Sequence, residues 1–440
     1  MIYHRPFGKF AIVFAIFSLF LSCSAENYRG CSVHKTDGGV TVIFADTPKP
    51  DGLLVMLCIS SGSTDEIEKT GVSNLLNRIF EQKLKQNTGS DLQYGSESNS
   101  YAGYDHSIYY FYGKTENLAG FIKNLGTTFS NFTFTSDEMD GCKRMIEKKI
   151  IEDRQTDKNF IRYESRKSLY WHSRYGSPIY GNEDDLKSIS EEDVKNFKNK
   201  NYVNGRTTLI IAGKVDKKFA LEEIEKYFKK SDIPEEPINR LQEPPHHGSS
   251  VKLTKYSSQV SVPIIEMYWK IPDYRNQKEK ARAAEIFINC LDEILQKNLI
   301  EKQKAVASVS FTYSFWNYDY GDFCITITAG NSDTDDVIRA VLTEIKYAAS
   351  EGISEAQAKK AAKKLTASAD VFRYEVDVLD WTDWISKKTG SRNDFDFLKS
   401  YCNFINKFDL KEVNAQAKEI FKNDPCVISI LKPEVKRKAV

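Results

Sequence analysis

The chain has 440 residues, 41% hydrophobic and 28% charged, a mixture that excludes a disordered, collagen-like or multi-span membrane protein. Lys and Arg number 62 against 61 Asp and Glu, and a net charge of +1 builds no global basic field, so nucleic acid is not an expected partner. The length allows two or three domains.

Residues 1–25 read as a secretory signal. Arg5 and Lys9 lead into an apolar run from Phe10 to Leu21, broken only by Ser18 and too short to cross a bilayer. Cleavage is expected after Ala25, behind Ser22-Cys23-Ser24. The alternative is a lipoprotein signal with Cys23 acylated. Either route exports the chain, to the periplasm or the cell exterior, with membrane contact only through the signal or a lipid anchor. Cys23 leaves with the signal. The other seven cysteines (Cys31, Cys58, Cys142, Cys290, Cys324, Cys402, Cys426) contain no CxxC, which excludes a zinc knuckle, an iron–sulfur site and a thioredoxin motif. Their odd number argues against a complete disulfide framework. Cys58 and Cys324, inside apolar runs, are expected to be buried thiols.

Gly39–Ser61 reads as a strand, a turn at Thr47-Pro48-Lys49-Pro50 and a second strand. Gly71–Leu84 is helical in period, Ser107–Tyr112 a strand, and Glu116–Phe129 and Ser136–Asp153 are amphipathic helices. Ser190–Lys200 is a helix, Arg206–Ala212 a strand and Lys217–Lys229 a helix. Residues 231–250 hold four of the twelve prolines and no apolar period, and read as a linker whose His246 and His247 are solvated. Beyond it come a strand at Pro263–Lys270, a helix at Gln277–Asn298, paired strands at Ala305–Phe315 and Asp322–Ala329, helices at Thr334–Glu351 and Ser354–Phe372, and a strand at Cys426–Leu431. The second order echoes the first, so a duplicated α+β unit of roughly 200 residues is the economical reading. Ser136 and Ser354 are expected as helix N-caps.

Several features have structural readings. Asp105-His106 is expected to be structural, with a packed or hydrogen-bonded His106, rather than a catalytic dyad. Phe311, Tyr313, Phe315, Trp316, Tyr318 and Tyr320 are expected in the core, the alternative being a peptide-binding wall. Lys359, Lys360, Lys363 and Lys364 form a solvated helix face. Asn131-Phe132-Thr133 is a glycosylation sequon. No GxSxG elbow or glycine-rich phosphate loop occurs.

The strip from Tyr175 to Asp216 resembles the pitrilysin/insulinase family of metallopeptidases, which includes the mitochondrial processing peptidase. Pro178, Gly181, Ile189, Ser190, Asp193, Val194, Phe197, Tyr202, Gly213 and Asp216 fall at or close to the family's register. The stretch ESNSYAGYDHSIYYFY resembles a family strand, through Asn99, Asp105, His106, Ser107 and Tyr109. Gly352-Ile353-Ser354-Glu355 is similar to the second-domain equivalent of a helix opening. The resemblance implies an α+β fold of two homologous domains, each a mainly antiparallel sheet backed by helices, facing each other across a cavity. They would occupy residues 26–230 and 251–440.

Active members carry H-x-x-E-H on a helix: two histidines one turn apart ligate zinc, the glutamate between them serves as general base, and a later glutamate is the third ligand. In this register Asn74 stands at the first histidine, Asn77 at the base, Arg78 at the second histidine and Arg154 at the later glutamate. Glu152 and Asp153 lie on other faces of that later helix. Amides are poor zinc ligands and arginine has no lone pair to give. A guanidinium fixed about 4 Å from a divalent ion costs on the order of 8 kcal/mol at an effective dielectric near 20. The zinc expected of the family is therefore expected to be absent here, with no metal ligand and no catalytic residue. Arg78 and Arg154 would grip a peptide carboxylate, or pair with Glu81 and Asp153.

The family's second-domain Arg/Tyr stretch falls at Asn298–Ala307, where Gln303 stands for the arginine and Ala307 for the tyrosine. Asn99, Gln303 and Ala307 are the expected lining of a peptide cavity. The expectation is a non-catalytic member of the family, inactive on its own: a partner of a catalytic paralogue, or a homodimer, or a peptide-binding protein. The alternatives are an active peptidase with a divergent site, and a structural assembly subunit.

Overall fold

The computed structural model describes residues 31–45, 52–88, 97–171, 173–229, 250–274, 276–315, 321–330, 332–374 and 395–434. The signal segment, residues 231–249 with His246 and His247, and Trp316, Tyr318 and Tyr320 lie outside them.

Two sheets organise the molecule. Strands β1 (Cys31–Lys35), β2 (Thr41–Ala45), β3 (Leu53–Ile59), β4 (Glu97–Ala102), β5 (Ser107–Gly113) and β6 (Thr207–Ala212) form a six-stranded sheet in the order β1-β2-β6-β3-β5-β4. Strands β7 (Val251–Ser257), β8 (Ile264–Ile271), β9 (Ser308–Ser314), β10 (Gly321–Thr328) and β11 (Val427–Pro433) form a five-stranded sheet in the order β7-β11-β8-β10-β9. With β1 set aside the two orders are the same: first, fifth, second, fourth, third along the chain. Each sheet is antiparallel except where its fifth strand pairs with its first, β6 with β2 and β11 with β7. The duplication read from the element order is therefore present in the strand topology.

The helices are α1 (Val72–Thr88), α2 (Leu118–Ser130), α3 (Ser136–Gln155), α4 (Asp157–Leu169), α5 (Glu183–Ser188), α6 (Glu191–Asn201), α7 (Lys217–Tyr227), α8 (Lys278–Leu295), α9 (Thr334–Glu351), α10 (Glu355–Tyr374), α11 (Phe395–Asn406) and α12 (Leu410–Phe421). The strand β3, Leu-Leu-Val-Met-Leu-Cys-Ile, is apolar throughout because both of its faces are buried. Leu53, Val55, Leu57 and Ile59 join Leu75, Leu76, Ile79 and Phe80 of α1 in one core. Leu54, Met56 and Cys58 meet Ile43 and Ile210 on the other face. The apolar residues of α1 recur at one- and three- to four-residue steps, which lays one stripe of the helix on the sheet. In the second half Ile265, Met267, Trp269 and Ile271 pack against Phe287, Ile288 and Leu291 of α8.

The reverse face of the second sheet is covered from the first half. Leu169 of α4 and the adjacent Tyr170 and Tyr175 bury against Tyr268, Cys324 and Val427. Helix α4 thus belongs to one half by sequence and to the other by packing.

One capping residue differs from expectation. Thr135, not Ser136, caps α3: it is extended, and its hydroxyl accepts from the Glu138 amide (3.3 Å) while Glu138 accepts from the Thr135 amide (2.8 Å). Ser136 is already helical and donates to Glu191 (2.6 Å). Ser354 caps as expected, accepting from the Gln357 amide (3.3 Å). Cys58 and Cys324 are buried. Phe315 is buried and Phe311 packs against the second core, whereas Tyr313 stays 37% exposed. Lys359, Lys360 and Lys364 form surface ion pairs with Glu355, Glu293 and Asp292.

Candidate functional site

The site is built on the first turns of α1, and the start of that helix is fixed by backbone. Gly71 has φ +94°, and a Cβ there would lie 2.7 Å from the Tyr180 carbonyl oxygen. Gly181 has φ +76°, and its Cβ would lie 2.4 Å from the Thr70 carbonyl oxygen. The two glycines let the segments 70–71 and 180–181 pass in backbone contact, where a side chain on either would hold them apart. Asp185 completes the joint: its carboxylate accepts from the Thr70 amide (2.9 Å), the Thr70 hydroxyl (2.6 Å) and Asn182 Nδ2 (2.8 Å). Buried Glu66 accepts from the Gly71 and Ser73 amides (2.9 and 2.8 Å), two donors that the first helical turn leaves unpaired. Burial pushes the Glu66 carboxyl up to about 8, against the pull of those amides and of the Arg174 guanidinium.

Other residues of the two resembling strips also meet around this helix. Tyr109 and Tyr202 share a hydroxyl–hydroxyl bond (2.7 Å), with the Phe80 ring 4.3 Å from Tyr109. Tyr175 donates to Asp105 (2.5 Å), whose second oxygen accepts from the Thr64 hydroxyl (3.0 Å). Lys69 of the 60s loop bonds Asp193 (2.7 Å), which itself closes the N-terminal cap of α6 on Ser190. Asp105 is a scaffold carboxylate, bonded to Tyr175 and Thr64.

On this frame sit the four singled-out side chains. Asn74 is buried, and its Oδ1 finds no hydrogen-bond partner among the described residues. Asn77 is buried and engaged: Nδ2 donates to the Tyr101 carbonyl (3.2 Å), and Oδ1 lies 3.0 Å from the Ser100 hydroxyl. That hydroxyl also reaches Glu81 Oε2 (2.9 Å), and the carboxylate is the stronger acceptor for its one proton. Arg78 Nη1 pairs with Glu81 (3.0 Å), and Lys85 takes the other oxygen of Glu81 (2.6 Å). Burial works against the Glu81 charge, but the bonds from Lys85 and Ser100 and the nearby Arg78 outweigh it and hold its carboxyl below the usual range. Arg154, at the end of α3, pairs with Glu183 and not with Asp153, which Lys149 takes at 2.8 Å. The partner at Glu183 follows from the chain path: α5 packs on α3, while Asp153 points along the helix to the residue four before it. Cys142, on α3 facing α1, bonds Gln82 (3.3 Å), and burial pushes its thiol up to about 11.

These side chains do not fit a zinc ion. Among the described residues the set offers the Asn74 amide oxygen without a partner, the Asn77 amide with its Nδ2 committed to the Tyr101 carbonyl, and two guanidinium groups, each held by a carboxylate. The bonds of the three expected cavity residues go to residues other than Asn74, Asn77, Arg78 and Arg154. Asn99 turns back on its own strand, accepting from the Ser100 amide (2.8 Å). Gln303 donates to Glu344 (2.7 Å), and the Ala307 amide, just before β9, bonds the Thr328 carbonyl at the end of β10 (2.8 Å).

Two family models match the chain in succession. Residues 41–183 match "Insulinase (Peptidase family M16)" and residues 188–365 match "Peptidase M16 inactive domain", together well over half of the chain. The chain belongs to the insulinase family, peptidase family M16. A zinc protease of uncharacterised role from Rickettsia felis is 25% identical over 209 residues, 46% of this chain and 50% of its own length. The chain thus spans about half the length of the bacterial relatives it matches. The mitochondrial-processing peptidase subunit beta of Saccharomyces cerevisiae is 22% identical over 376 residues, 79% of this chain and 80% of that one. A putative M16-like peptidase from Alicyclobacillus acidocaldarius superposes with a TM-score of 0.80 at 18% identity, covering 92% of this chain and 98% of that one. That likeness establishes the two-domain fold.

Proposed function

We propose that this chain is a non-catalytic member of the insulinase family, exported, lacking zinc, and acting as the partner subunit of a catalytic paralogue. One observation carries the reading. The frame that would present a zinc motif is intact, from the Gly71–Gly181 contact to the apolar stripe of α1, while the side chains presented are Asn74, Asn77, Arg78 and Arg154. No general base stands where the family's motif puts one: Asn77 is an amide, and the Glu81 carboxylate one turn on is paired with Arg78 and Lys85. The yeast relative is named as a subunit, which supports a role within an assembly. The signal-like segment before Glu26 supports export. A peptide-binding role without a catalytic partner is the second reading, and the Asn74 Oδ1, an acceptor with no donor among the described residues, favours it.

The test is metal content and peptide hydrolysis of the purified chain, beside a variant carrying Asn74→His, Asn77→Glu, Arg78→His and Arg154→Glu. The expected result is no stoichiometric zinc and no chelator-sensitive cleavage by the natural chain, with zinc bound by the variant. One zinc per natural chain together with chelator-sensitive cleavage overturns the proposal. Co-purification from the native source separates the two roles, through the presence or absence of a relative bearing H-x-x-E-H.

A further inference from the structure

The α3–α4 junction lies directly after Arg154, and a residue of the second half holds it from both sides. Gln259 sits in the turn between β7 and β8. Its Nε2 donates to the Gln155 carbonyl (2.7 Å) and its Oε1 accepts from the Asp157 amide (3.0 Å). The first is a carbonyl that the end of α3 leaves unpaired, and the second an amide that the start of α4 leaves unpaired. One side-chain amide therefore closes two helix ends at once. Gln259 is itself anchored, its backbone amide donating to the Ser257 hydroxyl (2.9 Å).

The hold continues along α4. Lys255 pairs with Asp157 (3.2 Å), Arg162 with Glu266 (2.8 Å), and Tyr170 donates to Asp322 (2.6 Å). Glu266 also accepts from Tyr268 (2.7 Å), which orients it toward Arg162. The Arg166 guanidinium lies over the Tyr104 and Tyr170 rings at 4.7 and 5.0 Å. Every one of these second-half partners, Lys255, Gln259, Glu266 and Asp322, lies on the second sheet or in its first turn.

We propose that Gln259 is the clamp through which the second half positions the Arg154 end of α3 against α1. The strap α4 is laid on the second sheet, and the clamp makes α3 continue that strap mechanically. A shift of the second half then moves Arg154 relative to Asn74 and Arg78. The link is a property of the fold and does not depend on whether the site binds metal, peptide or a partner subunit.

Hydrogen exchange on the full chain tests it. Gln259 is exposed, so Gln259→Ala leaves the cores untouched and folds. Each lost bond is worth about fivefold in an opening equilibrium, so amides 150–157 are expected to exchange about five- to thirtyfold faster. Amides of α1 and α2 distant from the junction keep their rates. Glu266→Gln, which weakens the hold on Arg162 without touching the junction, is expected to accelerate the same segment less. Faster exchange at Asp157 alone, with 150–155 unchanged in both variants, overturns the proposal: Gln259 is then a local cap and transmits nothing.

Discussion

Glu66 is the residue at which burial and charge compete most openly. Its carboxyl titrates near 8 in the folded chain and near 4.5 when exposed. Between those values the folded state holds a proton that the unfolded state has lost. Stability from this group is therefore full below pH 4.5 and declines as pH rises through 8. Glu66→Gln removes the titration while keeping one acceptor for the two α1 amides. The thermal midpoint of the natural chain, measured against that of the variant, should fall progressively from pH 5 to pH 8. A constant difference across the range means that Glu66 is ionised throughout. Glu81 and Glu138 do not confuse the measurement. Lys83 and the Thr135 amide hold Glu138 down to about 2, and Glu81 is also lowered, so both act in acid.

At the scale of the elements, the start of α1 depends on two backbones in contact. Gly181→Ala places a Cβ at 2.4 Å from the Thr70 oxygen and a side chain at φ +76°. A loss of about 3 kcal/mol is expected, read as a lowered denaturant midpoint with an unchanged slope. Gly141→Ala, in a helix where the new Cβ meets only the Arg144 guanidinium at an ordinary 3.9 Å, should be neutral or slightly stabilising. What the sequence made legible divides along the same line. The stripe of α1 and the apolar strands β3 and β6 were readable because burial writes a period into them. The frame around α1 was readable only through resemblance, since Asp185 reaching Thr70 and Tyr202 reaching Tyr109 are contacts without a local period. Helix α4 is not legible from a stripe, because its face packs on the other half and charged Arg162 and Arg166 interrupt the apolar positions where they meet Glu266 and Asp322. The edge strands β1 and β7 and the short helix α5 bury too few apolar residues to write a period, whereas α12 carries one, with Val413, Ala417, Ile420 and Phe421 at one- and three- to four-residue steps. At the site, Glu81 could be named from its three- and four-residue spacing to Arg78 and Lys85. Glu183 and Ser100 could not, because only the fold brings them to Arg154 and Asn77.

For the whole molecule, the repeated strand order argues that one unit was doubled and then joined. The exchange of α4 makes the joint structural rather than merely covalent, since a helix encoded in the first half completes the polar and apolar cover of the second sheet. A protease cut within residues 231–249 severs the only stretch of chain between β6–α7 and β7, yet leaves α4 seated. The nicked pieces should therefore travel together through gel filtration and part only in denaturant; fragments that separate in native buffer would mean that the exchanged helix contributes little to cohesion. A chain of this kind can survive processing at its midpoint as a two-piece protein.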